Sequence, residues 1–186
     1  NNLVEPRELH FVSSSPPQLR AVLEEKLMLD GIDWSSDTFK NQAYNIRKRR
    51  MDLLRHHVGY KSLAILRIVL AAPSGSSFYM IGDNAETDTY IYFGVKCLLE
   101  GLLTKEGYLR YLEFSGVEKA SLKSLARVIE KGPESKVSRI FIRNVEGYKF
   151  VQAAPLTDVI FQFDDFFQVG LELIREKVIP SEDLWH

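Results

Sequence analysis

The sequence predicts an α/β layered domain with a mostly parallel sheet, and two observations carry that class. Short apolar runs over 9–12, 77–81, 139–143 and 159–163 read as buried strands, and stretches with helical spacing follow or separate them. Strands alternating with helices in this way favour one parallel sheet with helices on its faces. Two of the strands also end in polar loops of small residues, Ser13-Ser14-Ser15 and Gly82-Asp83. In such a sheet both loops open on the carboxyl edge, where ligands bind.

Each element has its own justification. The strand over 9–12 runs into the turn Ser13-Ser14-Ser15-Pro16-Pro17. Leu19, Val22, Leu23 and Leu27 then recur at helical spacing, and Gly31 offers a stop. A polar, weakly patterned stretch continues to about Arg55 and contains the basic cluster Arg47-Lys48-Arg49-Arg50. Residues 61–72 read as a helix with Leu63, Leu66 and Leu70 on one face, and Ile65, Ile68 and Val69 suggest burial on more than one side. After the loop Pro73-Ser74-Gly75-Ser76 comes the strand over 77–81, then a helical pattern from about 88 to 99. Residues 101–136 form an extra helical region broken at Gly107, Gly116 and Gly132-Pro133. Two strands, over 139–143 and 159–163, and a helix over 164–177 close the chain.

Composition narrows the function classes. A chain of 186 residues suggests one domain, and 45% apolar residues can build a real core, which excludes disorder as the overall state. Lys plus Arg is 24 and Asp plus Glu is 25, so no global charge drives nucleic-acid or membrane binding. Any such binding must come from a local patch. The single cysteine, Cys97, permits no internal disulfide and fits a reducing compartment; its apolar helical setting reads as a buried thiol. No run approaches the ~18–20 apolar residues that span a bilayer. The stretch Asn1-Asn2-Leu3-Val4-Glu5-Pro6 has neither the basic nor the apolar part of a signal peptide. It also lacks an initiator Met, so the chain reads as a processed protein or as a piece of a longer one. The expected location is cytoplasmic, with room for a peripheral place on membranes.

Gly82-Asp83-x-x-x-x-Asp88 is the sharpest chemical signal. Glycine allows a tight turn after the strand, Asp83 stands at the strand tip, and Asp88 starts the next helix where it can approach the same point. Two hard carboxylates converging on a polar cleft suit Mg²⁺, which keeps waters and borrows a substrate phosphate. The same residues also fit a simpler role, with Asp83 opening a turn and Asp88 charging a helix N-terminus. Ser13, directly after a strand, offers a hydroxyl and nearby N–H groups to a phosphate, or else belongs to a serine-rich turn or caps a helix. Lys61 opens an apolar helix, where a cation opposes the helix dipole unless an anion lies nearby. His56 and His57 are adjacent and point different ways on a helix, so they read as surface or loop. Phe161, Phe163, Phe166 and Phe167 read as core.

Taken together, a strand followed by Ser, a later Lys opening a helix, and a strand followed by Gly-Asp-x4-Asp resemble the second, third and fourth motifs of the haloacid dehalogenase superfamily. His10-Phe11-Val12-Ser13-Ser14-Ser15-Pro16-Pro17-Gln18-Leu19, Tyr60-Lys61, Ile81-Gly82-Asp83-Asn84-Ala85-Glu86-Thr87-Asp88-Thr89-Tyr90-Ile91-Tyr92 and Ile140-Phe141-Ile142-Arg143-Asn144-Val145 look like one branch of it. That branch is the phosphatidate phosphatase family named after the yeast actin-patch protein, and the resemblance spans residues 8–100 and about 137–178. Asn84-Ala85 replaces the usual Ser-Gly, and Gly59-Tyr60 stands where a His is expected before the Lys. Residues 101–136 exceed the family's usual length there and look like a helical insertion. No Asp-x-Asp-x-Thr follows a strand; Asp164-Asp165 follows one but lacks the rest of that motif.

The resemblance implies a three-layer, Rossmannoid haloacid-dehalogenase-like fold, with residues 1–186 forming a single phosphatase domain that is N-terminally incomplete. The strand bearing the nucleophilic Asp lies centrally in that fold and would come from a segment absent from this chain. It further implies Mg²⁺-dependent phosphomonoester hydrolysis through an aspartyl-phosphate, with phosphatidate or a related phospholipid as substrate. Ser13 would bond a phosphate oxygen with Ser15 beside it, Lys61 would neutralise phosphoryl charge, and Asp83 and Asp88 would hold Mg²⁺. Arg47 and Arg49, within the basic cluster, would meet the substrate's anionic surface, although a solvated basic face explains them equally. Nucleic acid is not an expected partner. A phosphate- or lipid-binding module without catalysis is the competing function.

Overall fold

The computed structural model describes residues 8–13, 15, 17–39, 50–130, 135–148 and 159–182, with residues 17 and 50–57 described by their backbone. His10–Ser13 (β1) leads through a short 3-10 turn into Arg20–Leu29 (α1), and Ser36–Phe39 (β2) returns parallel to β1. Gly31, at φ +69°, takes the left-handed conformation that ends α1 as expected. The strand β2 was not legible, because Ser36-Asp37-Thr38 gives no apolar run. The apolar face expected on α1 is not buried: Leu19, Val22 and Leu23 are exposed and Leu27 is only half-buried, and no residue of α1 is fully buried among the described residues.

Arg50–Ala71 (α2) starts eleven residues before the expected start at Lys61. Ser77–Asp83 (β3), Lys136–Arg143 (β4) and Ile160–Phe163 (β5) follow, in a parallel sheet of order β3-β4-β5. Asp88–Leu99 (α3) connects β3 to Lys105–Phe114 (α4) and Lys119–Ile129 (α5), and Phe166–Arg175 (α6) follows β5. The result is a mixed α/β fold, and its strands are parallel as expected. They form two small sheets, however, instead of one: among the described residues no ladder joins β1–β2 to β3-β4-β5.

Strand alternation divides the burial of the larger sheet. Met80, Ile140, Ile142 and Ile160 face a core completed by Leu66 and Val69 of α2 and Ile91 and Val95 of α3. On the opposite face Phe141 and Phe163 pack with Val169 of α6. Of the four phenylalanines expected in the core, Phe163 is buried, whereas Phe166 and Phe167 at the start of α6 are largely exposed. The helices α4 and α5 form the region expected to be helical and add Tyr108, Leu112, Leu125 and Ile129 to the core. Gly59 makes their approach to α2 possible, since a Cβ there would lie 2.7 Å from Val117 Cγ1. Val12 packs on this same core, and α2 touches β1 as well as α3. One helix thus links the smaller sheet to the helix packed on the larger one. Cys97 is buried as expected. No helix among the described residues is long and apolar enough to cross a membrane.

Candidate functional site

The tip of β3 gathers the residues that spacing alone made suggestive. Asp83 ends the strand, and its Oδ1 accepts the backbone N–H groups of Ala85 at 3.0 Å and Glu86 at 3.1 Å. This is the turn-opening role weighed for it, and it leaves the second carboxylate oxygen outside any hydrogen bond or ion pair among the described residues. Asp88 is the first residue of α3, where a carboxylate complements the helix dipole. It is nonetheless 5% exposed, and its Oδ1 accepts from Lys61 Nζ at 2.5 Å. The simple and the chemical roles therefore coexist in both aspartates.

Gly82 serves a different purpose from the one expected of it. Its φ is not in the left-handed region, so no turn demands glycine here. The requirement is space: a Cβ would lie 2.6 Å from Asp88 Oδ2 and 2.8 Å from Tyr92 Cε2. The missing methyl lets Asp88 lie against the strand tip. Tyr92, one turn further along α3, closes the floor by donating its hydroxyl to the carbonyl of Ile81 at 3.1 Å. Burial, with the Asp88, Asp83 and Glu86 charges adding to it, pushes that phenol well above its ordinary range, so it stays neutral.

Lys61 lies in the second half of α2 and not at a helix start, so the dipole argument does not apply to it. The anions inferred from its placement are present, but they are the chain's own. Besides Asp88, Nζ reaches Glu86 Oε2 at 2.6 Å. Burial favours loss of the Lys61 proton; the Asp88 and Glu86 carboxylates outweigh it and hold the ammonium above its usual pKa. For Asp88 burial dominates and raises the carboxyl, against the pull of Lys61 and with help from Glu86 and Asp83. We read the pair as ionised, with the desolvation cost falling on Asp88.

Glu86 was hidden among the unassigned positions of Gly-Asp-x4-Asp, and no spacing marks it; only the approach of α2, 25 residues earlier, makes it a partner. Asn84 is the other addition. Its Oδ1 accepts from Val145 N at 2.7 Å and its own N–H reaches Arg143 O at 3.1 Å, tying the loop after β3 to the one after β4.

The remaining candidates are placed elsewhere. Ser13 ends β1 in the smaller sheet, and its Oγ accepts from Ser15 N at 3.1 Å, which is the serine-turn role. Among the described residues no hydrogen bond joins Ser13 or Ser15 to Lys61, Asp83 or Asp88. Arg47 and Arg49 lie outside the described residues, as do the side chains of Arg50, Arg55, His56 and His57. Asp164, the only Asp directly after another strand among the described residues, instead accepts from Asn144 Nδ2 at 2.9 Å.

Chemically, the cluster offers one buried ammonium and three carboxylates at the carboxyl end of a parallel strand. Among the described residues no group of three or more His, Cys, Asp or Glu side chains could hold a metal ion. Asp83 and Asp88 supply two hard oxygen donors, and Mg²⁺ commonly takes one or two carboxylates and fills its shell with water and phosphate. The donor chemistry of this pair fits that ion. Comparison with protein-family models, with curated proteins and with solved structures finds no match to the chain.

Proposed function

We propose that the chain carries the phosphate-neutralising and Mg²⁺-holding half of a phosphomonoesterase site of haloacid-dehalogenase type, acting on phosphatidate or a related phospholipid. The observation that carries the reading is the convergence of Lys61 on Asp88, 27 residues away in sequence, beside Asp83 at the tip of β3. A turn and a helix cap need no buried lysine; a site for a phosphoryl group does. The gap between the sheets adds support. β1 and β3 each keep an edge unpaired among the described residues, and α2 touches both β1 and the helix lying on β3 and β4. A parallel strand between β1 and β3 would join the two sheets, and the nucleophilic Asp belongs at the carboxyl end of such a strand.

In this reading the nucleophile, on a segment outside these 186 residues, attacks phosphorus as the ester P–O bond breaks and the alcohol leaves with a proton, and water then cleaves the aspartyl-phosphate to inorganic phosphate and the free carboxylate. Lys61 stands against the phosphoryl oxygens, where a buried charge stabilises the charge of transfer. Ser13 donates its hydroxyl to a phosphate oxygen once β1 is aligned with β3. Asp83 and Asp88 would hold Mg²⁺, which when bound supplies further positive charge. Gly82 and Tyr92 keep Asp88 in place.

The test is phosphate release from phosphatidate vesicles and from a soluble phosphomonoester, with the intact mass of the protein taken from its own cells measured alongside. For the protein that carries the nucleophilic segment, the expectation is Mg²⁺-dependent release that falls about 10²–10³-fold in Asp83→Asn and in Lys61→Met. Release that neither substitution changes would overturn the site. A second reading is favoured by one observation: the Lys61 ammonium is already satisfied by Glu86 and Asp88. A non-catalytic phosphate- or lipid-binding module is then the outcome if phosphate binds in a Lys61-dependent way but no ester is cleaved.

A further inference from the structure

Glu86 and Asp88 share one ammonium but are held in different ways. The Asp88 side chain is 7% exposed and, as the first residue of α3, lies against the strand tip at Gly82. The Glu86 side chain is 37% exposed and stands in the loop between β3 and α3. Its backbone N–H is fixed by Asp83 Oδ1, so the carboxylate can swing into water while its Cα stays in place. Lys61 itself is 7% exposed on its side chain, and the solvent side of its ammonium is where Glu86 sits.

The geometry points to Glu86 as a displaceable cover on Lys61: an oxyanion of phosphate type reaches the ammonium by displacing the Glu86 carboxylate, which thereby sets the anion affinity of the site. The inference rests on the reading of Lys61 as the phosphate-neutralising residue. An ammonium has three donors, and two are already committed. Three acidic side chains, Asp83, Glu86 and Asp88, stand around a single lysine, so an approaching phosphate meets acidic oxygens before it meets Lys61. Moving the exposed carboxylate into water clears part of that approach and frees a donor; moving the buried one does neither cheaply.

The experiment is equilibrium binding of inorganic phosphate to the full chain, with chelator and with Mg²⁺, for the wild type, Glu86→Gln and Glu86→Gln combined with Lys61→Met. Glutamine keeps the shape and removes the charge. We expect phosphate to bind about tenfold more tightly to Glu86→Gln in chelator, with the gain lost in the double variant. In an isotope-labelled wild-type chain, the carboxyl carbon resonance of Glu86 should shift on adding phosphate while that of Asp88 moves less; this readout needs no variant to fold. Unchanged affinity in Glu86→Gln and an unmoved Glu86 resonance, with Lys61-dependent phosphate binding still present, would overturn the cover and leave the phosphatase reading standing. No phosphate binding by any of the proteins, with or without Mg²⁺, would overturn that reading and the cover with it.

Discussion

Replacing Gly82 by alanine tests whether the cluster at the tip of β3 is a built arrangement. The added Cβ would lie 2.6 Å from Asp88 Oδ2, 2.7 Å from Asp88 Cβ and 2.8 Å from Tyr92 Cε2. None of these atoms withdraws freely. Asp88 is anchored by Lys61 at 2.5 Å, and the Tyr92 ring by its bond to the Ile81 carbonyl at 3.1 Å. Overpacking at a tight site costs about 1–3 kcal/mol. Turning Asp88 away to relieve it breaks a buried ion pair, whose disruption from one side costs about 3–5 kcal/mol. The cheaper compromise shares the two, so the expected loss is about 2–4 kcal/mol, read by urea unfolding and linear extrapolation. Asp88→Ala combined with Gly82→Ala should cost less than the sum of the single changes by about 1 kcal/mol, because the first removes the Oδ2 that the methyl strikes at 2.6 Å and releases the shortened side chain from Lys61, while Asp88 Cβ and the Tyr92 ring remain. A Gly82→Ala protein within about 0.5 kcal/mol of wild type, or strict additivity in the double variant, would refute the close-approach account.

Two further outcomes follow from other contacts. Thr104 and Thr87 both cap helices, but Thr104 Oγ1 accepts the N–H of Gly107 at 3.0 Å, whereas Thr87 makes no cap bond and its hydroxyl is buried without a partner. Thr104→Ala should therefore lose about 1 kcal/mol in urea unfolding, and Thr87→Val should be neutral or stabilising. On α6, the hydrogen-bonded Arg175 guanidinium holds the Glu172 carboxyl below its ordinary 4.5, with Arg139 at 3.2 Å adding to the effect. A depressed carboxylate stabilises the fold above its unfolded pKa and loses that contribution as pH falls through its folded value. Glu172→Gln should accordingly cost about 1–2 kcal/mol at pH 7, with the gap to wild type closing below about pH 4.5 in denaturant titrations.

Most of the fold was legible because apolar periodicity reports local geometry. The runs at Phe78-Tyr79-Met80-Ile81 and Arg139-Ile140-Phe141-Ile142 mark β3 and β4; β4 is buried on both faces at Ile140, Phe141 and Ile142 and so is apolar at successive positions, whereas β3 buries Met80 and leaves Ile81 exposed. The misses share a cause. Ser36–Phe39 is a strand through its pairing with β1 and not through its own composition. The first eleven residues of α2 carry Arg50, Arg55, His56 and His57, whose polarity hides a helix; at the end of this stretch Gly59 makes room for Val117. Conversely, the apolar spacing of α1 correctly announced a helix but not a buried one, because burial depends on a neighbour that no local pattern specifies.

The site was legible in its members and not in its wiring. Spacing placed Asp83 and Asp88 on the end of a strand and the start of a helix, which already brings two carboxylates near one another. It could not reveal that Lys61 closes on Asp88, because the placement of α2 against α3 and α5 is set by tertiary packing, with Leu66 and Val69 buried in the shared core. Gly82 shows the limit most clearly. Glycine before the strand-end aspartate suggested a turn, yet the backbone there is ordinary, and the residue matters for the volume that it leaves to Asp88. Asp88 at the start of the next helix and the Tyr92 ring one turn on both use that volume. A Gly-Asp pair five residues before a second Asp therefore encodes a contact across the strand–helix junction, and that contact holds one oxygen of Asp88 on Lys61 while the other lies over the strand.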